Sequence, residues 1–213
     1  MVDNLPNRFF IHTPRRSEQG GMALIFVLIM ISIVFVIAAV SSRMVLLGER
    51  AARNDRDRQT ALQAAEAALS DAEIDIMGPN TASTQRVSKF GTLPAGEGCS
   101  SDDTPGGTRG YCGALDTSAY KDIFDDSKTA PRQYASFGEF TDREDQFPVS
   151  NGGALPAKLP RYIIQKASLS FRNRAETAGK PFDAFIVTAI GYGLQPSTQV
   201  VLQAVISKPV PTN

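Results

Sequence analysis

The sequence predicts an α+β chain. A long N-terminal helix, membrane-spanning in its first half, packs through its second half on a C-terminal antiparallel β-sheet with a disulfide loop. Three observations carry this expectation. Met22 to Ser42 hold no charged residue, Arg43 to Met77 hold no proline and a periodic alanine-rich stripe, and the chain from Arg161 onward reads as strands. Apolar residues make up 42% of the chain and charged residues 21%, which excludes wholesale disorder. The 22 basic and 22 acidic residues cancel, so no overall positive field draws the chain to nucleic acid, and no nucleic-acid partner is expected.

The first element is the run MALIFVLIMISIVFVIAAV, broken only by Ser32. A helix of about 20 such residues, rising about 1.5 Å each, covers the hydrocarbon core of a bilayer. A buried core helix and a cleaved secretory signal are the alternatives. The first seldom stays apolar on every face for so long, and the second has a shorter apolar region and a small-residue cleavage site. Arg8, Arg15 and Arg16 precede the run, and Arg43, Arg50, Arg53, Arg56 and Arg58 follow it. Counted alone, these charges leave the orientation ambiguous.

The second element continues the first. Ala61, Leu62, Ala65, Ala68, Leu69, Ala72 and Ile76 recur at spacings of three and four and form one apolar stripe. Gln63, Glu66, Ser70, Asp71 and Glu73 are expected on the remaining, solvated surface. Gly78-Pro79 ends the helix. An uninterrupted helix from Met22 to Met77 would be about 80 Å long.

Residues 78 to 160 hold eleven of the 17 glycines, so this part is expected to be loop-rich. Its scattered aromatics, from Phe90 to Phe147, point to ordered loops clamped onto a core, and a short helix is expected near Ser118 to Phe124. Cys99 and Cys112 flank a turn-rich loop. In a chain with a membrane segment they read as a disulfide in an oxidising space; two free thiols in a reducing cytosol are the alternative. The disulfide reading places the C-terminal part outside the cytoplasm and the N-terminus inside. RYIIQKASLS, FDAFIVTAIGYG and TQVVLQAVIS then read as strands, the last two joined by a turn at Leu194 to Ser197. In the middle strand, Phe185, Val187 and Ala189 face one way and Ala184, Ile186, Thr188, Ile190 and Tyr192 the other, and one of these faces covers the helix.

Catalytic and metal chemistry find little support. The only histidine is His12, outside any expected core, so a hydrolytic triad in the C-terminal part fails and most zinc sites are excluded. Asp122, Asp125 and Asp126, and Asp142, Glu144 and Asp145, lack the spaced pattern of a calcium loop. No cofactor is expected, and the chain is not read as an enzyme.

RRSEQGGMALIFVLIM resembles the type III leader of type IV pilins and pseudopilins. That resemblance implies cleavage by a prepilin peptidase between Gly21 and Met22, and methylation of Met22. GERAARNDRDRQTALQAAEAALSDAE is similar to the PilX group of minor pilins. The matching residues are Glu49 and Arg50, then Asn54, Asp57 and Arg58, then Gln63 to Glu73 with Glu66, Asp71 and Glu73 as its acidic members. The fold it implies is type IV pilin-like: a leader over residues 1–21, a membrane and fibre-core helix over 22–42, an amphipathic continuation over 43–77 and a periplasmic head over 78–213, with strands over 161–207. Most pilins carry glutamate at the fifth mature position, which here is Phe26. A carboxylate buried in an apolar fibre needs a partner, so a subunit without one is suited to starting or capping a fibre.

The resemblance thus implies a minor pilin acting in pilus assembly, in a priming or tip complex, and hence in pilus-dependent motility or adhesion. Its partners would be other minor pilins, the major pilin, the prepilin peptidase, the inner-membrane assembly platform and, before assembly, membrane lipid. It would be a single-pass inner-membrane protein that later joins the fibre at the cell surface. A pseudopilin of a type II secretion system and an unrelated single-pass membrane protein with a periplasmic domain are the other classes.

Overall fold

The computed structural model describes residues 21–90, 98–113, 115, 119–150, 154–167 and 182–209. These form two compact units, one ending at Ala51 and one beginning at Ala52. The helix α1, Met22–Met77, begins in the first and ends in the second. The chain before Gly21, with His12 and the arginines of the expected leader, lies outside the described residues.

In the first unit every described side chain of α1 from Met22 onward is exposed, apolar and charged alike. The segment is long and apolar enough to cross a bilayer. Its serines do not break that character. The hydroxyls of Ser32, Ser41 and Ser42 donate to the carbonyls of Leu28, Ile37 and Ala39 at 2.8, 2.9 and 3.2 Å. A hydroxyl proton satisfied by its own helix carries little penalty in an apolar medium.

The second unit is a helix laid on a sheet. The strands are β1 (Tyr111–Cys112), β2 (Ala135–Ser136), β3 (Arg161–Lys166), β4 (Phe182–Tyr192) and β5 (Gln199–Pro209). The order is β1-β3-β4-β5, with β2 pairing β3 beyond β1 along the same edge. The three long strands are antiparallel, as expected, but the sheet is mixed: β1 runs parallel to β3, with Tyr111 opposite Ile164. The physical reason is the long connection from Cys112 to Arg161. It frees β1 from the hairpin geometry that makes neighbours antiparallel. A four-residue helix α2, Tyr120–Ile123, lies within the segment where a short helix was expected.

Both faces of the sheet are covered at β3 and β4. Phe185, Val187 and Ala189 of β4 and Tyr162 and Ile164 of β3 meet Ala68, Ala72 and Ile76 of α1. On the opposite face, Ile163, Ile190 and Tyr192 pack with Cys112, Ile123, Phe124 and Tyr134 from the loops. The period-two alternation of strands divides the residues this way. The stripe on α1 also differs from its expected membership. Leu62 is 38% exposed, Ala64 is buried in its place, and Asp71 is fully buried rather than solvated.

The close contact of α1 with β4 depends on small residues from both sides. A Cβ added at Gly191 would collide with the Ala61 carbonyl and the Ala65 amide, and one at Gly193 would collide with Asp57. The disulfide Cys99–Cys112 ties the loop over 98–113 to the sheet at β1. Closing a loop of this size is worth about 3 kcal/mol on the chain-entropy account.

Candidate functional site

The candidate residues are spread along α1, and each unit presents a different chemistry. In the first unit Met22 opens the helix, and Phe26, one turn later, is two-thirds exposed. Glu49 and Arg50, the first members of the signature, are exposed at its end. Among the described residues neither makes an ion pair. Such a surface offers apolar contact on all sides and has no acid near its start.

In the second unit the helix fastens the head through three carboxylates. Asp57, Ala61, Ala64, Ala68, Asp71 and Asp75 follow one another at steps of four and three, so all lie on the face toward the sheet. Asp57 accepts the amides of Leu194 and Gln195 and the Thr198 hydroxyl, and so holds the β4–β5 turn. Asp71 accepts the Gly138 amide at 2.9 Å and the Thr141 hydroxyl at 2.5 Å. Arg143 Nη1 lies 3.7 Å from it. Burial pushes the Asp71 carboxyl above its ordinary value, against the two hydrogen bonds and the Arg143 charge.

Asp75 holds a buried ion pair. Arg86 donates to it from Nε at 3.0 Å and from Nη2 at 2.6 Å, and the Tyr162 hydroxyl adds a third bond at 3.0 Å. Both charged side chains are fully buried. The remaining Arg86 nitrogen donates to the carbonyls of Arg109 and Gly107, and the guanidinium lies 3.5 Å from the centroid of the Phe140 ring. Burial alone would lower the Arg86 pKa, but the charge and hydrogen bonds of Asp75, with smaller contributions from Tyr162 and Glu139, together raise it above its ordinary value. Burial, followed by the Asp75 charge, pushes the Tyr162 hydroxyl well above its usual range. A fully hydrogen-bonded pair of this kind costs about 3–5 kcal/mol when one partner alone is removed.

On the other sheet face Arg161 is the matching cation. It donates to the Phe124 carbonyl at 2.8 Å and to Asp126 at 2.7 Å, with its guanidinium over the Tyr134 ring. Burial works to raise the Asp126 pKa, but the hydrogen bonds from Arg161 and Tyr134 hold it below its ordinary value. Of the acidic residues singled out in the sequence, Asp122, Asp125, Asp126 and Asp142 are met by protein donors. Lys128 pairs with Asp122 at 2.5 Å, the Ser127 amide and hydroxyl donate to Asp125, and the Ser83 amide donates to Asp142. Among the described residues no three His, Cys, Asp or Glu side chains come together to hold a metal.

The signature residues therefore divide in two. Asp57 and Asp71 are fold clamps, joined by Asp75 and Arg86, which the sequence reading did not single out. The signal for Asp75 was its place in line with the alanine stripe. Asn54, Arg58, Gln63, Glu66 and Glu73 are exposed. Among the described residues these five make no side-chain hydrogen bond or ion pair, so the fold as described gives them no clamping role.

Residues 97–208, more than half of the chain, match the family described as Type IV pilus assembly protein PilX C-term. Residues 20–70 match the family described as PilX N-terminal. No curated protein and no solved structure matches the chain.

Proposed function

Because this chain belongs to the PilX family and is a minor pilin of a type IV pilus, we propose that it acts in assembly of the fibre, at or near its tip. Like its family, it works in contact with other pilus components. The observation that carries the tip reading is the first unit of α1, exposed and apolar on every side with Phe26 where most pilins hold glutamate.

The same apolar surface serves twice. Before assembly it lies in the inner membrane, with the N-terminus inside and the head in the periplasm. Cleavage between Gly21 and Met22 releases the subunit from its leader, and the new amine of Met22 is then methylated. During assembly the helix leaves lipid for the fibre core, where helices of the major pilin and other minor pilins replace the lipid. The exchange is apolar for apolar, so contacts of small and branched side chains decide its balance. A glutamate at the fifth mature position would need a neighbour's amine in that core. Phe26 removes the requirement and with it the register that carries a subunit into the shaft.

Deletion of the gene tests the assembly role. Surface pili counted with retraction on and off should fall in both states, unless another fibre system primes in its place. Unchanged counts in a strain without such a system would leave only an accessory role. Motility and adhesion follow fibre number.

A further inference from the structure

We propose that the free edge of β5 accepts an extended, basic segment of another protein as an additional strand. β5 is eleven residues long and forms the outer edge of the sheet. The Gly193 amide donates to the Thr198 carbonyl at 2.8 Å, in register with Tyr192 opposite Gln199. Alternation along an antiparallel ladder then turns the amides and carbonyls of Val201, Gln203, Val205 and Ser207 outward. No described residue takes these outward groups. Edges of this length are ordinarily blunted by inward charges, bulges or covering loops. Among the described residues β5 carries only Lys208 and Pro209, at its far end, and the Lys208 ammonium is turned back to the Val87 carbonyl.

The surroundings of the edge state the chemistry of its occupant. On the helix side a groove runs between α1 and β5, lined by Glu66, Leu69, Ser70, Glu73 and Met77 and by Ala204 and Ile206 of β5. Glu66 and Glu73 are exposed, belong to the signature and make no ion pair among the described residues. On the other side Val201 and Val205 are half exposed. An added strand alternates its side chains between these two sides. It therefore carries Lys or Arg toward the two glutamates and branched apolar residues beside the valines. A second copy of this chain is the poorer occupant. Antiparallel pairing of two β5 edges places both helices on one sheet face and brings four glutamates together. The acidic rim thus discourages self-pairing and selects a basic strand, with main-chain bonds supplying affinity and the rim specificity.

The test uses the full chain in phosphatidylcholine nanodiscs and a short fluorescein-labelled peptide alternating Lys and Val, read by anisotropy. Saturable, salt-sensitive binding is expected, and an alternating Glu–Val peptide should not bind. Val205→Pro removes one outward donor and leaves the ladder to β4 intact, so it should weaken binding about tenfold. Glu66→Gln with Glu73→Gln, both exposed and neutral to folding, should weaken it comparably and remove the salt dependence. No saturable binding, unchanged affinity in either variant, or self-association through this edge in place of peptide binding overturns the proposal. None of these outcomes depends on where in a pilus the chain sits.

Discussion

Asp71 shows how a residue can be a family mark and a fold device together. Its carboxyl is fully buried, and burial raises its pKa. In the unfolded chain an aspartate titrates near about 3.9. Between that value and the higher folded one, the folded state binds more protons than the unfolded state. Stability contributed at Asp71 is therefore complete at low pH and is lost as pH rises through the folded pKa. Asp71→Asn keeps an acceptor for Gly138 and should remove this slope. The stability difference, wild type minus the Asn variant, should fall as pH rises when denaturation of the full chain is followed in detergent. A difference that grows with pH would contradict the assignment. Asp71→Ala leaves the Gly138 amide and Thr141 hydroxyl without their acceptor and should cost about 1–3 kcal/mol at low pH, and less as pH rises. Asp71 and Asp75 were hard to read from sequence because an aspartate on an alanine-rich helix is ordinarily solvated. Only partners from distant loops, Gly138, Thr141, Arg86 and Tyr162, make burial tolerable, and sequence spacing does not reveal them.

At the scale of elements, α1 was legible from its period, and β3, β4 and β5 from their runs of β-branched and aromatic residues. β1 and β2 were not, since two residues carry no period and their pairing with β3 depends on a long connection. Their parallel and antiparallel senses arise from where the loops return the chain. The joint between α1 and β4 was half legible. The alanines announced a close approach, but Gly191 and Gly193 did not announce themselves as its other half. Gly191→Ala places a methyl group against the backbone of Ala61 and Ala65. Helix and strand must separate, with an expected loss of about 1–3 kcal/mol. Val201→Ala, on the exposed face of β5, should change stability by less than about 0.5 kcal/mol. Limited proteolysis of the full chain distinguishes the two, and equal resistance in both would contradict the contact.

For the whole molecule, the division into an apolar unit and a head unit matches a division of labour. The head is held by its own carboxylates, its disulfide and the packing on both faces of β3 and β4. The apolar unit has no covering of its own among the described residues and calls for lipid or other helices. If Phe26 sets the position in the fibre, Phe26→Glu should change it. Labelled wild-type subunits are expected at filament ends, and the variant along the shaft as well. Identical distributions would argue that position is set by the head.

The most direct measurement is mass spectrometry of sheared surface filaments beside the membrane fraction of the same cells. The account predicts that the filaments contain this chain, starting at Met22 with a methylated amine. Filaments without the chain, together with membranes holding it with residues 1–21 attached, would contradict it.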